Sequence, residues 1–141
     1  SIQDIRELFA IREVLECEVI KRAALKADPE RVEAIKEKFI TSESDSKKAS
    51  SGHFKSGDEV HTFIFETFGN KRLKEIYKRL QDHIVRSRIH FFNQTPSGRS
   101  EESFREHLEI LDALKAQDPV RAEKAVRDHL QNSLEYIRKM M

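Results

Sequence analysis

A chain of 141 residues has the length of one domain, and a globule of that size buries roughly two thirds of the surface its unfolded chain exposes. Its 26 Lys and Arg against 25 Asp and Glu leave a formal charge of +1, which provides no field to gather a phosphate backbone onto the domain as a whole. No run approaches the roughly 20 consecutive apolar residues of a membrane span, and the first residues lack the basic and then apolar regions of a signal peptide.

Hydrophobic residues at 38% and charged residues at 36%, with only 4 Gly and 3 Pro, make a helical composition with long stretches free of breakers. The single cysteine, Cys17, has no partner for a disulfide, so a reducing cytoplasm is the expected setting and a buried, inert thiol the expected role. The chain opens at Ser1 without an initiator Met and enters a helical pattern almost at once, which leads us to expect that it is part of something longer.

Ile5, Leu8, Phe9, Leu15, Val19 and Ala23 recur at three- and four-residue steps, predicting a first helix from Asp4 to Ala27. Asp28-Pro29 ends it and opens the second, with Asp28 as N-cap and Pro29 at the first helical position, where a missing N–H costs little. Val32, Ile35, Phe39 and Ile40 form the inner face of this second helix. Thr41 to Gly57 is polar and rich in Ser and Lys, and its middle reads as a weakly held helix end or a mobile loop.

A third helix is expected over Gly57 to Phe68 with Val60, His61, Ile64, Phe65 and Phe68 inward, closed by Gly69-Asn70. The fourth carries Leu73, Ile76, Tyr77, Leu80 and Ile84 and extends toward Phe92; Asn93 to Ser100, with Pro96 and Gly98, is a loop. Ser100 is placed as the cap of a fifth helix whose inner face is Phe104, His107, Leu108, Leu111 and Leu114. Asp118-Pro119 repeats the earlier start device for a sixth, with Ala122, Ala125, Val126, His129, Leu130, Leu134 and Ile137 inward. The expected fold is therefore all-α, one antiparallel bundle of about six helices spanning 1–141 and enclosing a pocket.

His61, His107 and His129 carry the chemistry. Each falls among the apolar positions of its own helix, so three imidazoles point toward one interior, and neutral imidazole is the commonest side-chain metal ligand. Asp58 shares a helix face with His61 at i and i+3 and is the candidate fourth ligand, or else a cap or dipole partner for its helix. An octahedral ion so held keeps open positions that a small anion can fill. Arg12, close to the buried stripe of the first helix, is a candidate for holding that anion, or pairs with Glu16 one turn on. Arg86 and Arg88 are further anion candidates; His83 is a further ligand or a group supporting one; Asn70 reaches the pocket or simply ends the third helix. His53 and His90 fall at positions expected to be exposed. No metalloprotease, di-iron, nucleophile, P-loop or dinucleotide motif is present.

Four segments resemble the FCD ligand-binding domain of the FadR subfamily of GntR-type regulators. They are Arg12-x-x-Leu15-Glu16 with Ala23-Ala24; Val60-His61 through Gly69-Asn70; Glu106-His107-x-x-Ile110-Leu111-x-Ala113; and Asp118-x-x-x-Ala122 leading to His129-Leu130. The helix count is similar to that of the shorter, VanR-like group. The resemblance implies a divalent metal, often zinc or nickel, held by an aspartate and three histidines beside a small carboxylate effector. It also implies an N-terminal winged helix-turn-helix domain, outside this chain, that binds operator DNA, and a homodimer. One departure is visible: the family's aspartate position, four residues before the first histidine, holds Gly57, with Asp58 one residue later. Two other readings remain open from the residues themselves, a metal-dependent enzyme on the same bundle and a metal-free interaction domain whose histidines only hydrogen-bond.

Overall fold

The computed structural model describes residues 1–46, 52–91 and 99–140, with side chains described for 1–45, 57–87 and 99–140. Six helices follow one another, α1 (Ile2–Lys26), α2 (Pro29–Ser46), α3 (Gly52–Phe68), α4 (Lys71–Phe91), α5 (Ser100–Lys115) and α6 (Pro119–Met140), and the described residues contain no strand. The expected all-α bundle is what forms.

Local chemistry explains several helix ends. The Ser1 hydroxyl accepts the Asp4 N–H at 3.3 Å, so α1 begins at Ile2, a half turn before the expected start at Asp4. Asp28 and Asp118 cap α2 and α6, accepting the N–H groups of Glu30 and Arg121, each at 3.0 Å. Gly69 takes φ +88° at the end of α3 and returns its N–H to the Phe65 carbonyl at 3.1 Å. Asn70 then caps α4, its side-chain oxygen accepting the Leu73 N–H at 3.0 Å. The expected Ser100 cap is displaced by one residue: Ser100 is already helical, and Arg99 holds the cap position without a side-chain cap bond.

α2 runs on to Ser46 and α3 starts at Gly52, and the middle of the Ser/Lys-rich stretch, read as a weakly held helix end or a mobile loop, lies outside the described residues. Ser, Glu and Lys lower apolarity without breaking a helix, and the described parts of the segment, 41–46 and 52–57, are helical. The inner faces also shift slightly. Ile40 and Ile76, expected inward, are exposed, because Phe39 and Tyr77 one residue away occupy the buried directions.

α1 is the central element, packing against α3, α4, α5 and α6, while α2 closes on α3 and α5. It runs antiparallel to α6: Glu13 meets Arg127, and at the other end Gln117 Nε2 donates to the Ala27 carbonyl at 2.7 Å. Ile20, Val32, Val60, Ile64, Ile110, Leu111, Leu114 and Val126 are fully enclosed, and Cys17 is buried among them as a free thiol. No helix among the described residues is long and apolar enough to cross a membrane.

Candidate metal centre

Among the described residues, five of the six buried polar ones, Arg12, Glu16, His61, His107 and His129, converge in the middle of the bundle. α1 places the first two on its broad buried face, where Arg12 follows Phe9 and Glu16 precedes Cys17. α3, α5 and α6 each contribute one histidine from the inner stripe, so the three predicted ligands are brought together by tertiary packing alone. Their ring centroids lie 5.2 Å (His61–His107), 5.2 Å (His61–His129) and 4.2 Å (His107–His129) apart. One nitrogen from each falls within 4.8 Å of the others.

The outer nitrogens are engaged. His61 Nδ1 meets Glu16 Oε1, His107 Nδ1 meets the Ser103 carbonyl at 2.7 Å, and His129 Nδ1 meets Glu106 Oε1 at 2.7 Å. A carbonyl or carboxylate only accepts, so each Nδ1 carries a proton and the Nε2 atoms are left as the candidate ligand atoms. His61 Nε2 and His107 Nε2 stand 3.2 Å apart. Two lone pairs that close repel unless a proton or cation lies between them. Two nitrogens each 2.0–2.1 Å from one tetrahedral ion stand about 3.3 Å apart, so the observed separation suits a shared cation.

Electrostatics favours the ligand form. Burial pushes the His107 pKa well below 6.5, with His129 and His61 adding to the effect, and burial holds His129 at about 4 despite the opposing bond to Glu106. Both rings are neutral near pH 7. The carboxylates behind them are ionised. Burial opposes this for Glu16, but the Arg12 charge and His61 outweigh it and hold the group at about 2. Burial likewise opposes ionisation of Glu106, and hydrogen bonds from His129, Arg99 and Asn132 bring it to about 2.

Each carboxylate has its own cation. Arg12 Nε donates to Glu16 Oε2 at 2.7 Å, and its Nη2 lies 3.5 Å from the Tyr77 hydroxyl. Arg99 grips both oxygens of Glu106, with Nη1 donating to Oε2 at 2.9 Å and Nη2 to Oε1, and Nη2 also reaches Ser133 Oγ at 3.1 Å. Asn132 Nδ2 completes the grip at 2.9 Å. Sequence reasoning paired Glu16 with Arg12 but missed its second role against His61, and it missed Arg99 altogether. The available signal for the first was an acid flanked by buried positions of α1.

Asp58, Asn70, His83 and Arg86, the remaining candidates among the described side chains, are not gathered at the cluster. Asp58 is half-buried, its carbonyl accepting from Thr62 Oγ1 and Gln81 Nε2 at 3.0 Å each; it lies outside the group of mutually close ligand atoms, though its charge acts on Arg12 and Tyr77. Asn70 is exposed and occupied as a helix cap. His83 and Arg86 are exposed because the inner stripe of α4 follows Tyr77, Leu80 and Ile84, and both fall off it. The side chains of His53, Arg88 and His90 lie outside the described residues.

A family model described as FCD domain matches residues 7–132. The chain belongs to the FCD domain family. It is also similar to proteins called HTH-type transcriptional repressor NanR: 25% identical over 120 residues in Escherichia coli (strain K12) and Shigella flexneri, and 27% over 120 residues in Enterobacter sp. (strain 638). Each match covers 85% of this chain but only 45% or 46% of the relative, so the FCD chain spans somewhat less than half the length of these repressors. The family and these relatives mark the domain as regulatory and not enzymatic.

Proposed function

We propose that this FCD domain is the effector-sensing part of a bacterial, cytoplasmic GntR-type transcriptional regulator, which holds a divalent metal, zinc or nickel, and responds to a small carboxylate effector. The observation that carries the metal reading is the convergence of three buried imidazoles, each with one nitrogen within 4.8 Å of the others and its Nδ1–H committed to an acceptor. A carboxylate or carbonyl behind each ligating imidazole fixes the tautomer and raises ligand basicity, as metal sites require. A divalent ion bound there would offer Lewis-acid positions to a carboxylate.

His61, His107 and His129 belong to α3, α5 and α6, and Glu16 ties His61 to α1. Ligand binding at this point therefore biases the packing of four helices, including α1. In our reading a winged helix-turn-helix domain preceding α1 in the whole protein contacts operator DNA, and two copies of the protein pair as a homodimer. The similarity to named repressors supports this. Arg12 acts on His107 and Asp58 acts on Arg12, and we assign Arg12 to the effector and Asp58 to the metal as a further ligand.

Metal analysis of protein purified without chelator tests the reading. Wild type is expected to hold about one ion per chain and to melt higher when zinc is added, and His107→Ala and His129→Ala to lose both properties. Unchanged metal content in both variants, or a melting temperature indifferent to chelator, would leave a metal-free interaction domain instead.

A further inference from the structure

We propose that the outer face of α4 is a contact surface for the phosphate backbone of duplex DNA; this rests on the regulator reading above and adds a contact made by this domain itself. Between Lys71 and Ser87, α4 carries six basic side chains, Lys71, Arg72, Lys74, Lys78, Arg79 and Arg86, against two acids, Glu75 and Asp82. The whole chain has a formal charge of only +1, so the remainder is net negative and positive charge is concentrated on this one helix. Arg72, Arg79 and Arg86 recur every seven residues and therefore share one side of α4, about 10 Å apart along its axis. All three are exposed, and among the described residues none has a hydrogen-bond or ion-pair partner, although Glu75 and Asp82 stand within about one turn of them. By contrast, exposed Arg22 pairs with Glu18, Lys124 with Asp128 and Arg138 with Glu135.

Among the described residues α4 packs only against α3 and α1, so nothing in the bundle covers this side. It runs antiparallel to α1. Lys26 Nζ donates to the Phe68 carbonyl at 3.3 Å just before α4 begins, Arg12 reaches Tyr77, and His83 lies near enough to Asp4 for their charges to interact. The far half of the arginine stripe therefore stands beside the start of α1, the end to which our reading attaches the DNA-reading domain. The chemistry of the face selects its occupant. Ile76 is its one exposed large hydrophobic side chain among the described residues, too little apolar area for the core of a protein contact. The apolar side of α4, with Tyr77 and Ile84, is buried in the bundle and cannot enter a membrane. Unpartnered guanidinium groups match phosphate in charge and shape, and a duplex presents one phosphate charge per roughly 1.7 Å of axis, so a stripe about 21 Å long meets a continuous line of them.

The probe is a fluorescein-labelled duplex of arbitrary sequence, titrated with this 141-residue chain and followed by anisotropy at about 50 and about 200 mM salt. Three phosphate contacts give a logarithmic salt slope of about −2.7, so wild-type affinity is expected to fall about 40-fold between the two conditions. Arg72→Gln/Arg79→Gln/Arg86→Gln is expected to bind at least about tenfold more weakly at the lower salt and to lose most of that slope. Arg22→Gln/Lys124→Gln/Arg138→Gln removes the same charge from paired groups elsewhere and is expected to bind like wild type. The three α4 side chains are exposed and hold nothing in place, and circular dichroism confirms that both triple variants are folded. Absence of wild-type binding at the lower salt, or an equal loss in the two triple variants, overturns the proposal. So does tighter binding to phosphatidylserine vesicles than to the duplex, which assigns the face to a membrane, or a change of oligomeric state in the α4 variant, which assigns it to a second copy. Metal content and the response to zinc are read separately on the same proteins, so a failure here leaves the reading of the three-histidine cluster standing.

Discussion

Arg12→Met removes the guanidinium that donates to Glu16 at 2.7 Å and strands a carboxylate with no exposure to solvent. Breaking a buried pair by deleting one partner costs about 3–5 kcal/mol, a large share of the roughly 5–15 kcal/mol that stabilises a domain of this size. Glu16→Gln should cost a similar amount, because it strands Arg12, which is only 3% exposed. The double variant Arg12→Met/Glu16→Gln buries no lone charge, and the amide oxygen can still accept the His61 Nδ1–H, so it should return to within about 2 kcal/mol of wild type.

The same pair has an acid signature. Glu16 sits at about 2 against an ordinary 4.5, burial opposing and the Arg12 charge with His61 prevailing. A carboxyl lowered by folding stabilises fully above its unfolded pKa, and this contribution, about 3 kcal/mol, is lost as pH falls from near 4.5 toward 2. Urea unfolding of all four proteins at pH 7, and of wild type and the double variant down to pH 3, measures both effects. Strictly additive single-variant costs, with no recovery in the double, would refute the argument that stranded charge dominates.

Glu106→Gln keeps an acceptor for His129 but weakens its hold and releases Arg99; zinc affinity by chelator competition should fall about 10–100-fold, and no fall would mean that Glu106 does not orient the ring. Burial keeps His107 well below 6.5 and His129 at about 4, so below pH 6.5 the unfolded chain takes up protons before the folded one does. Metal-free protein should therefore lose stability as pH falls from 6.5 toward 4, and the rise in melting temperature on adding zinc should shrink over the same range; a melting temperature constant from pH 7 to 5 would contradict this. Gly69→Ala meets nothing within 4 Å but forces a Cβ onto φ +88°, and should lower stability by about 1 kcal/mol with an unchanged urea m-value.

The helices were legible because their signals are local: a 3.6-residue apolar period, and Asp-Pro pairs at both the α2 and α6 starts. The three histidines were legible for the same reason, since a polar residue on an apolar stripe declares itself. What holds those rings was not. Glu16 and Glu106 find His61 and His129 across 45 and 23 residues of sequence, and nothing local tells an acid that backs an imidazole from one that faces water. On α4 phase decides, because one residue turns a side chain by about 100° and so separates exposed His83 from buried Ile84.

Cys17 gives the domain a built-in reporter. It is the sole thiol in 141 residues, sits on α1 in the buried core, and is raised to about 11 chiefly by burial, so reagents that attack thiolates should react only when the helices around it part. The rate of its alkylation then reads the frequency of that opening, and comparing the rate with and without zinc measures whether the distant histidines clamp the first helix in place.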